Sequence, residues 1–289
     1  MGKYYYLIAG LPNISLDDSK LPFTLSEFRQ ELNGMLTEAD RKLVDLFFLK
    51  FDNRNLLERL RVPDAGPDAR GSITYDEFND LFNALKEQEK PPVNKHIPAY
   101  FNTFLSARLT SEEHDGKEGI PWEDRLSALY YAYAMGCGNG FIAAWFELNL
   151  DINNLFTAIT CRKYGLERAD YIVGDNETAR ALRTSNARDF GLGDLMPYQA
   201  AVQRISEESD LLVRERKTDQ LKWEWLEEHT FFKTFDIENV FTYVLRLEMI
   251  ERWASLDKRG GERIFRELVG AMKRGSGSVL EEFKRNNNK

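Results

Sequence analysis

Histidine and cysteine are scarce in this chain, and their scarcity removes most of the usual catalytic apparatus. The 289 residues include 3 His and 2 Cys. Cys137 and Cys161 form neither a metal-ligand spacing nor a disulfide framework, which predicts a reduced, cytoplasmic setting. No Gly-x-Ser-x-Gly motif occurs and no cysteine stands beside a plausible base, so nucleophilic catalysis has no visible machinery. A carboxylate site among the 47 acidic residues stays open. Positive charge is also in deficit: the net charge of −8 argues against nonspecific nucleic-acid binding and leaves room for a basic partner. Long apolar runs are missing too. Residues 4–11 are too few for a secretory core and are followed by Pro12. Residues 126–150 are interrupted by Gly136, Gly138 and Gly140 and contain Glu147, which predicts a buried helical hairpin rather than a membrane span.

Four segments mimic ligand sites and fall short. Residues 66–77 place Asp68, Gly71, Ile73 and Glu77 as a calcium loop would. Gly66 and Arg70, however, occupy two of the positions that need carboxylate oxygens. His114-Asp115 lacks the further His and Asp ligands of a two-metal phosphohydrolase, and residues 112–118 read as a polar surface loop. Gly136–Gly140 and Gly275–Ser278 lack a preceding strand and the Lys-Ser/Thr of a phosphate loop. The expectation is therefore no catalytic residue, no cofactor and no metal.

What the chain does have is a pattern repeated three times. Phe47, Phe51, Asp52, Asn55, Leu56, Leu57 and Leu60 give the first copy. Phe146, Leu150, Asp151, Asn154, Leu155, Phe156 and Ile159 give the second, and Phe231, Phe235, Asp236, Asn239, Val240, Phe241 and Val244 the third. The template is Phe-x-x-x-apolar-Asp-x-x-Asn-apolar-apolar-x-x-apolar, a recurrence that predicts duplicated helical units. An Asp ahead of an apolar periodic run predicts a helix N-cap, since its carboxylate accepts an unpaired N–H and suits the positive helix end. Phe51 with Leu56, Leu150 with Leu155 and Phe235 with Val240 would then be hydrophobic staples, with Asn55, Asn154 and Asn239 at N3.

The remainder reads as helices. Thr24 with Glu27 and Thr74 with Glu77 predict capping boxes, and Thr37 another helix start. Helices are expected over about 96–109, 123–135, 141–149 and 175–184, and one long helix from Pro197 that carries residues as far as Leu226. A further helix from Asp236 reaches at least Leu256, breaks at Gly260-Gly261 and resumes over Ile264–Met272. Tyr4–Ala9 is the single ambiguous strand. The expected class is mainly α, with lobes at 1–110, 111–196 and 197–289.

These motifs resemble the C subunits of prokaryotic V/A-type ATPases, the counterparts of the d subunit in the eukaryotic vacuolar enzyme. Asp151-Ile152-Asn153-Asn154-Leu155, followed by Arg162-Lys163-Tyr164-Gly165, resembles the family's middle unit, and residues 235–252 its last. The opening Tyr4–Pro12 departs from the family's Ala-Arg pair and resembles instead a diverged bacterial branch associated with V-type ATPase operons. The resemblance implies three related helical lobes in a pseudo-threefold, funnel-like arrangement. It implies a non-catalytic coupling protein between the central stalk and the membrane rotor ring, cytoplasmic and attached to the inner membrane only through those partners. A helical adaptor unrelated to ATPases and a helical enzyme with a carboxylate site are the alternatives.

Overall fold

The computed structural model describes residues 3–62, 65–87, 96–111, 121–233 and 235–256. Among these residues every regular element is helical. The helices are α1 (Tyr5–Gly10), α2 (Leu25–Met35), α3 (Glu38–Arg61), α4 (Tyr75–Lys86), α5 (Ala99–Thr110) and α6 (Trp122–Met135). They continue with α7 (Gly140–Tyr164), α8 (Glu177–Thr184), α9 (Gln199–Ser206) and α10 (Leu211–Thr230), and residues 237–256 form α11. The mainly α class follows, and Tyr4–Ala9 is no strand. Tyr4 N–H donates to the Phe235 carbonyl at 2.9 Å, which fastens the start of α1 to the turn before α11.

Local chemistry sets most helix ends. Thr24 with Glu27 and Thr74 with Glu77 make full capping boxes, each satisfying two N–H groups that the first turn leaves unpaired. Thr37 caps α3 through the Asp40 N–H. Residues 136–139 turn α6 into α7, where the Asn139 side chain accepts from Ile142 N–H at 3.0 Å. At the far end of α7, Gly165 takes a left-handed φ of 66°, and Arg162 and Lys163 lie in the last turn, where cations oppose the helix dipole.

The long helix expected from Pro197 is two helices. Glu207–Asp210 breaks it, because Asp210 turns its carboxylate onto Leu212 N–H at 2.8 Å and Val213 N–H at 3.2 Å and starts α10 afresh. Residues 112–120, including His114-Asp115, and everything after 256, including Gly260-Gly261, Ile264–Met272 and Gly275–Ser278, lie outside the described residues.

One continuous apolar core runs from Tyr4 to Ile250 and crosses both expected lobe boundaries. Its middle is α7, which buries Ile142, Trp145, Phe146, Leu148, Leu150, Ile152, Leu155, Ala158 and Cys161. Residues so spread around a helix mark one enclosed by neighbours rather than one lying on a surface. Phe146 meets Tyr130 of α6 at 5.6 Å and Phe241 of α11 at 6.2 Å between ring centroids. Two of the helices that carry the repeated motif, α7 and α11, thus meet at the centre.

Candidate functional site

Asp52 and Asp151 do not start helices. Asp52 lies within α3 and Asp151 within α7, and both are buried. The helices expected from Thr37 and over 141–149, which carry Phe47 and Phe146, do not end ahead of the motif but run on through Asp52 and Asp151. Each side chain has found partners outside its own helix, so the capping role is replaced by a tertiary one. The intended staples Phe51–Leu56 and Leu150–Leu155 are simply core residues of continuous helices.

In the first copy the Asp52 Oδ1 accepts Ser72 N–H at 2.7 Å and Ile73 N–H at 2.8 Å. One turn further along α3, Asn55 grips both backbone groups of one residue. Its Oδ1 accepts Asp68 N–H at 2.7 Å and its Nδ2 donates to the Asp68 carbonyl at 3.1 Å. Gly71 is pressed against this pair: a Cβ there would stand 2.6 Å from Asn55 Nδ2 and 2.7 Å from Asp52 Oδ1. The loop so held delivers Thr74 to cap α4. Within that loop the Asp68 carboxylate faces Arg70, at 2.9 Å from Nε and 2.6 Å from Nη2, which holds its pKa below the usual carboxylate value.

The second copy repeats the device. Asn154 Oδ1 accepts Val173 N–H at 2.9 Å and its Nδ2 donates to the Val173 carbonyl at 2.7 Å. Asp151 accepts from Asn176 Nδ2 at 2.8 Å and from Thr178 Oγ1 at 3.0 Å. Asn176 is the cap of α8. Gly174, at a φ of 77°, makes the turn between the gripped residue and that cap. In both copies, then, an Asp and an Asn one turn apart on a long helix clamp the loop that feeds the next helix. Burial pushes each carboxyl up to about 6. Ser72 and Ile73 N–H groups partly offset this at Asp52, and Asn176 and Thr178 at Asp151.

The third copy differs. Asp236 stands just before α11, its N–H donating to Asn239 Oδ1 at 3.5 Å. Phe231, counterpart of the buried Phe47 and Phe146, is 77% exposed. Each Asp–Asn pair serves its own segment. Among the described residues no hydrogen bond joins one pair to another.

A cavity of about 300 Å³ opens where α3, α6, α7, α10 and α11 meet. Phe47 and Phe146 line it from the same place in the repeat, as do Lys50 and Asn149. Lys50 pairs with Glu248 of α11 at 2.8 Å and lies over the Phe47 ring at 4.0 Å. Burial lowers the Lys50 pKa despite Glu248. At Glu248 burial acts upward, and the charges of Lys50, Arg252 and Arg70 outweigh it, leaving the carboxyl below its usual value. Arg252 Nη2 reaches both oxygens of Asp219, at 2.8 and 2.6 Å, and Trp253 Nε1 adds a third donor at 2.7 Å. None of these charged residues was anticipated from the sequence. Asp219 sits between Thr218 and Gln220 in α10 and breaks no apolar period, and Lys50 and Glu248 are 198 residues apart.

A broader groove of about 670 Å³ runs along α7, α8 and α10. Glu147, Asp151, Glu177, Glu224 and Glu228 line it beside Trp225 and His229, with no lysine or arginine among its lining residues. Among the described residues no group of His, Cys, Asp or Glu could hold a metal ion. Nor is any helix there long and apolar enough to cross a membrane.

Fold and site together define a helical protein in which the repeated Asp and Asn, in the first two of three copies, are clamps between its own segments. The chain belongs to the family described as "Protein of unknown function (DUF2764)", which matches residues 1–276. No curated protein and no solved structure matches it.

Proposed function

We propose that this protein is a non-catalytic coupling component of a V/A-type rotary ATPase, joining the central stalk to the membrane rotor ring during proton or sodium transport. The observation that carries this reading is the clamp seen at Asp52/Asn55 and again at Asp151/Asn154. A part that passes torque must resist deformation, and it needs broad contacts rather than a reactive group. Clamps that tie each loop back to a buried helix supply such stiffness at the points where a helical body would otherwise yield. The resemblance of the same residues to the V/A-type C subunits supplies the partners. Three related lobes around an axle, a cytoplasmic location and attachment to the membrane through the complex belong to this proposal. So does a basic stalk segment as partner, which suits the net charge of −8 and the acidic groove beside α10.

The test is co-expression of the full chain with the stalk and ring proteins of the same organism's V-type ATPase, followed by affinity capture and size-exclusion chromatography. The expected result is a stoichiometric complex with the stalk that also retains the ring. Elution of the chain alone, with an intact ATPase lacking it, would overturn the assignment.

A further inference from the structure

We propose that the cavity among α3, α6, α7, α10 and α11, which opens to solvent, is a binding site for a small organic anion with a flat apolar body. The acid group would sit on Lys222 and the body against Phe47, Trp145 and Phe146. The cavity's volume of about 300 Å³ is at the lower end of the range for ligand sites. Its wall is shared between five aromatic side chains and six charged ones, three cations against three carboxylates, so a ligand there meets a flat apolar surface and a charged end together.

The charge arrangement selects an anion. Lys50, Lys222 and Arg252 face Glu215, Asp219 and Glu248 around the cavity. Lys50 is matched by Glu248 at 2.8 Å. Asp219 is occupied by two bonds from Arg252 and one from Trp253. Glu215 lies 3.8 Å from Arg252 with its side chain 59% exposed, so water screens it. Lys222 is left over. It makes no hydrogen bond or ion pair among the described residues. Burial lowers its pKa, with Arg252 acting in the same direction and Asp219, Glu215 and Glu248 only partly opposing it. An ammonium in this position gains from a carboxylate or comparable acid placed beside it, because a charge-assisted hydrogen bond replaces an unpaired charge. Asn149 supports the same end of the site. Its Nδ2 is used on the Trp145 carbonyl at 2.7 Å, which fixes the side chain and leaves its oxygen to accept a ligand hydroxyl or N–H. The cavity and its unpaired cation exist whether or not the chain belongs to a rotary ATPase.

The experiment titrates the full-length protein by calorimetry with four probes: phenylacetate, 2-phenylethanol, phenethylamine and acetate. Intrinsic tryptophan fluorescence, to which Trp145 in the cavity wall contributes, follows the same titrations. Phenylacetate is expected to bind with one-to-one stoichiometry, and the other three about tenfold more weakly or worse, the value of one charge-assisted bond. Lys222→Met removes a half-buried charge that has no ion-pair partner among the described residues, and is expected to fold. It should lose the preference for phenylacetate over 2-phenylethanol, while Lys222→Arg keeps it. The probe ranking in unaltered protein decides the matter even if neither variant folds. No binding of phenylacetate, equal binding of phenethylamine or 2-phenylethanol, or an undiminished preference in Lys222→Met would each overturn the proposal.

Discussion

The two clamps grip different things in the same way. Asn55 and Asn154 each hold a backbone N–H and its carbonyl on a single residue, Asp68 in one case and Val173 in the other. Such a grip is indifferent to the side chain it holds, so an acid and a valine serve equally. The gripped residue lies 13 positions beyond Asn55 and 19 beyond Asn154, which shows that the device also tolerates loop length. Asp52 and Asp151 are the discriminating members. Asp52 takes two backbone N–H groups, whereas Asp151 takes two side chains, Asn176 and Thr178. Backbone donors have no alternative once lost, but side-chain donors can turn elsewhere. The first clamp is therefore the more brittle of the two.

The glycines separate the two clamps most sharply. Gly71→Ala drives a methyl group into Asp52 and Asn55 together, and should cost about 3 kcal/mol in urea denaturation. Gly174→Ala should cost about 1–2 kcal/mol. It meets a left-handed φ, but its nearest obstacle is the movable Leu150 Cδ2 at 3.0 Å. Equal losses would show that the first clamp is no tighter than the second.

A second test uses pH. Both carboxyls titrate near 6 in the folded protein, above the unfolded value. The folded state therefore binds protons more tightly than the unfolded state. The stability this confers is complete below the unfolded pKa and is lost as pH rises through 6. Between about pH 5 and about pH 7.5 each group should account for a loss on the order of 1 kcal/mol. Asp52→Asn and Asp151→Asn should each flatten the profile of denaturation midpoint against pH. A profile that remains parallel to that of the unaltered protein would mean that the carboxyls titrate normally.

Much of this arrangement was legible, and the illegible part has a definite cause. Thr24 with Glu27 and Thr74 with Glu77 act within one turn, so a short stretch of sequence contains every partner. The recurrence of Asp and Asn was equally plain. Their roles at 52 and 151 were not, because an Asp before an apolar run looks the same whether it caps a helix or lies inside one. The deciding partners, residues 68–73 and 173–178, lie in another segment. Only in the third copy does Asp236 precede its helix, and there Phe231 is exposed where Phe47 and Phe146 are buried.

Smaller effects probe the likeness between the two clamps. Asn55→Ala and Asn154→Ala should each cost about 1–2 kcal/mol, and by similar amounts, since both lose one backbone pair. A difference larger than the sum of their errors would show that the gripped residue matters. Lengthening the first loop by two residues near Ala65 should cost less than about 1 kcal/mol, given the longer loop tolerated in the second copy.

Torque transmission is the heart of the proposed role, and an uncoupling assay reads it without intermediaries. Membranes carrying the V-type ATPase with the Asn55→Ala/Asn154→Ala chain are compared with unaltered membranes for ATP hydrolysis and for ATP-driven ion uptake. Hydrolysis is expected to persist while ion uptake per ATP falls. Full ion uptake in membranes from which the chain has been removed altogether would contradict a coupling role.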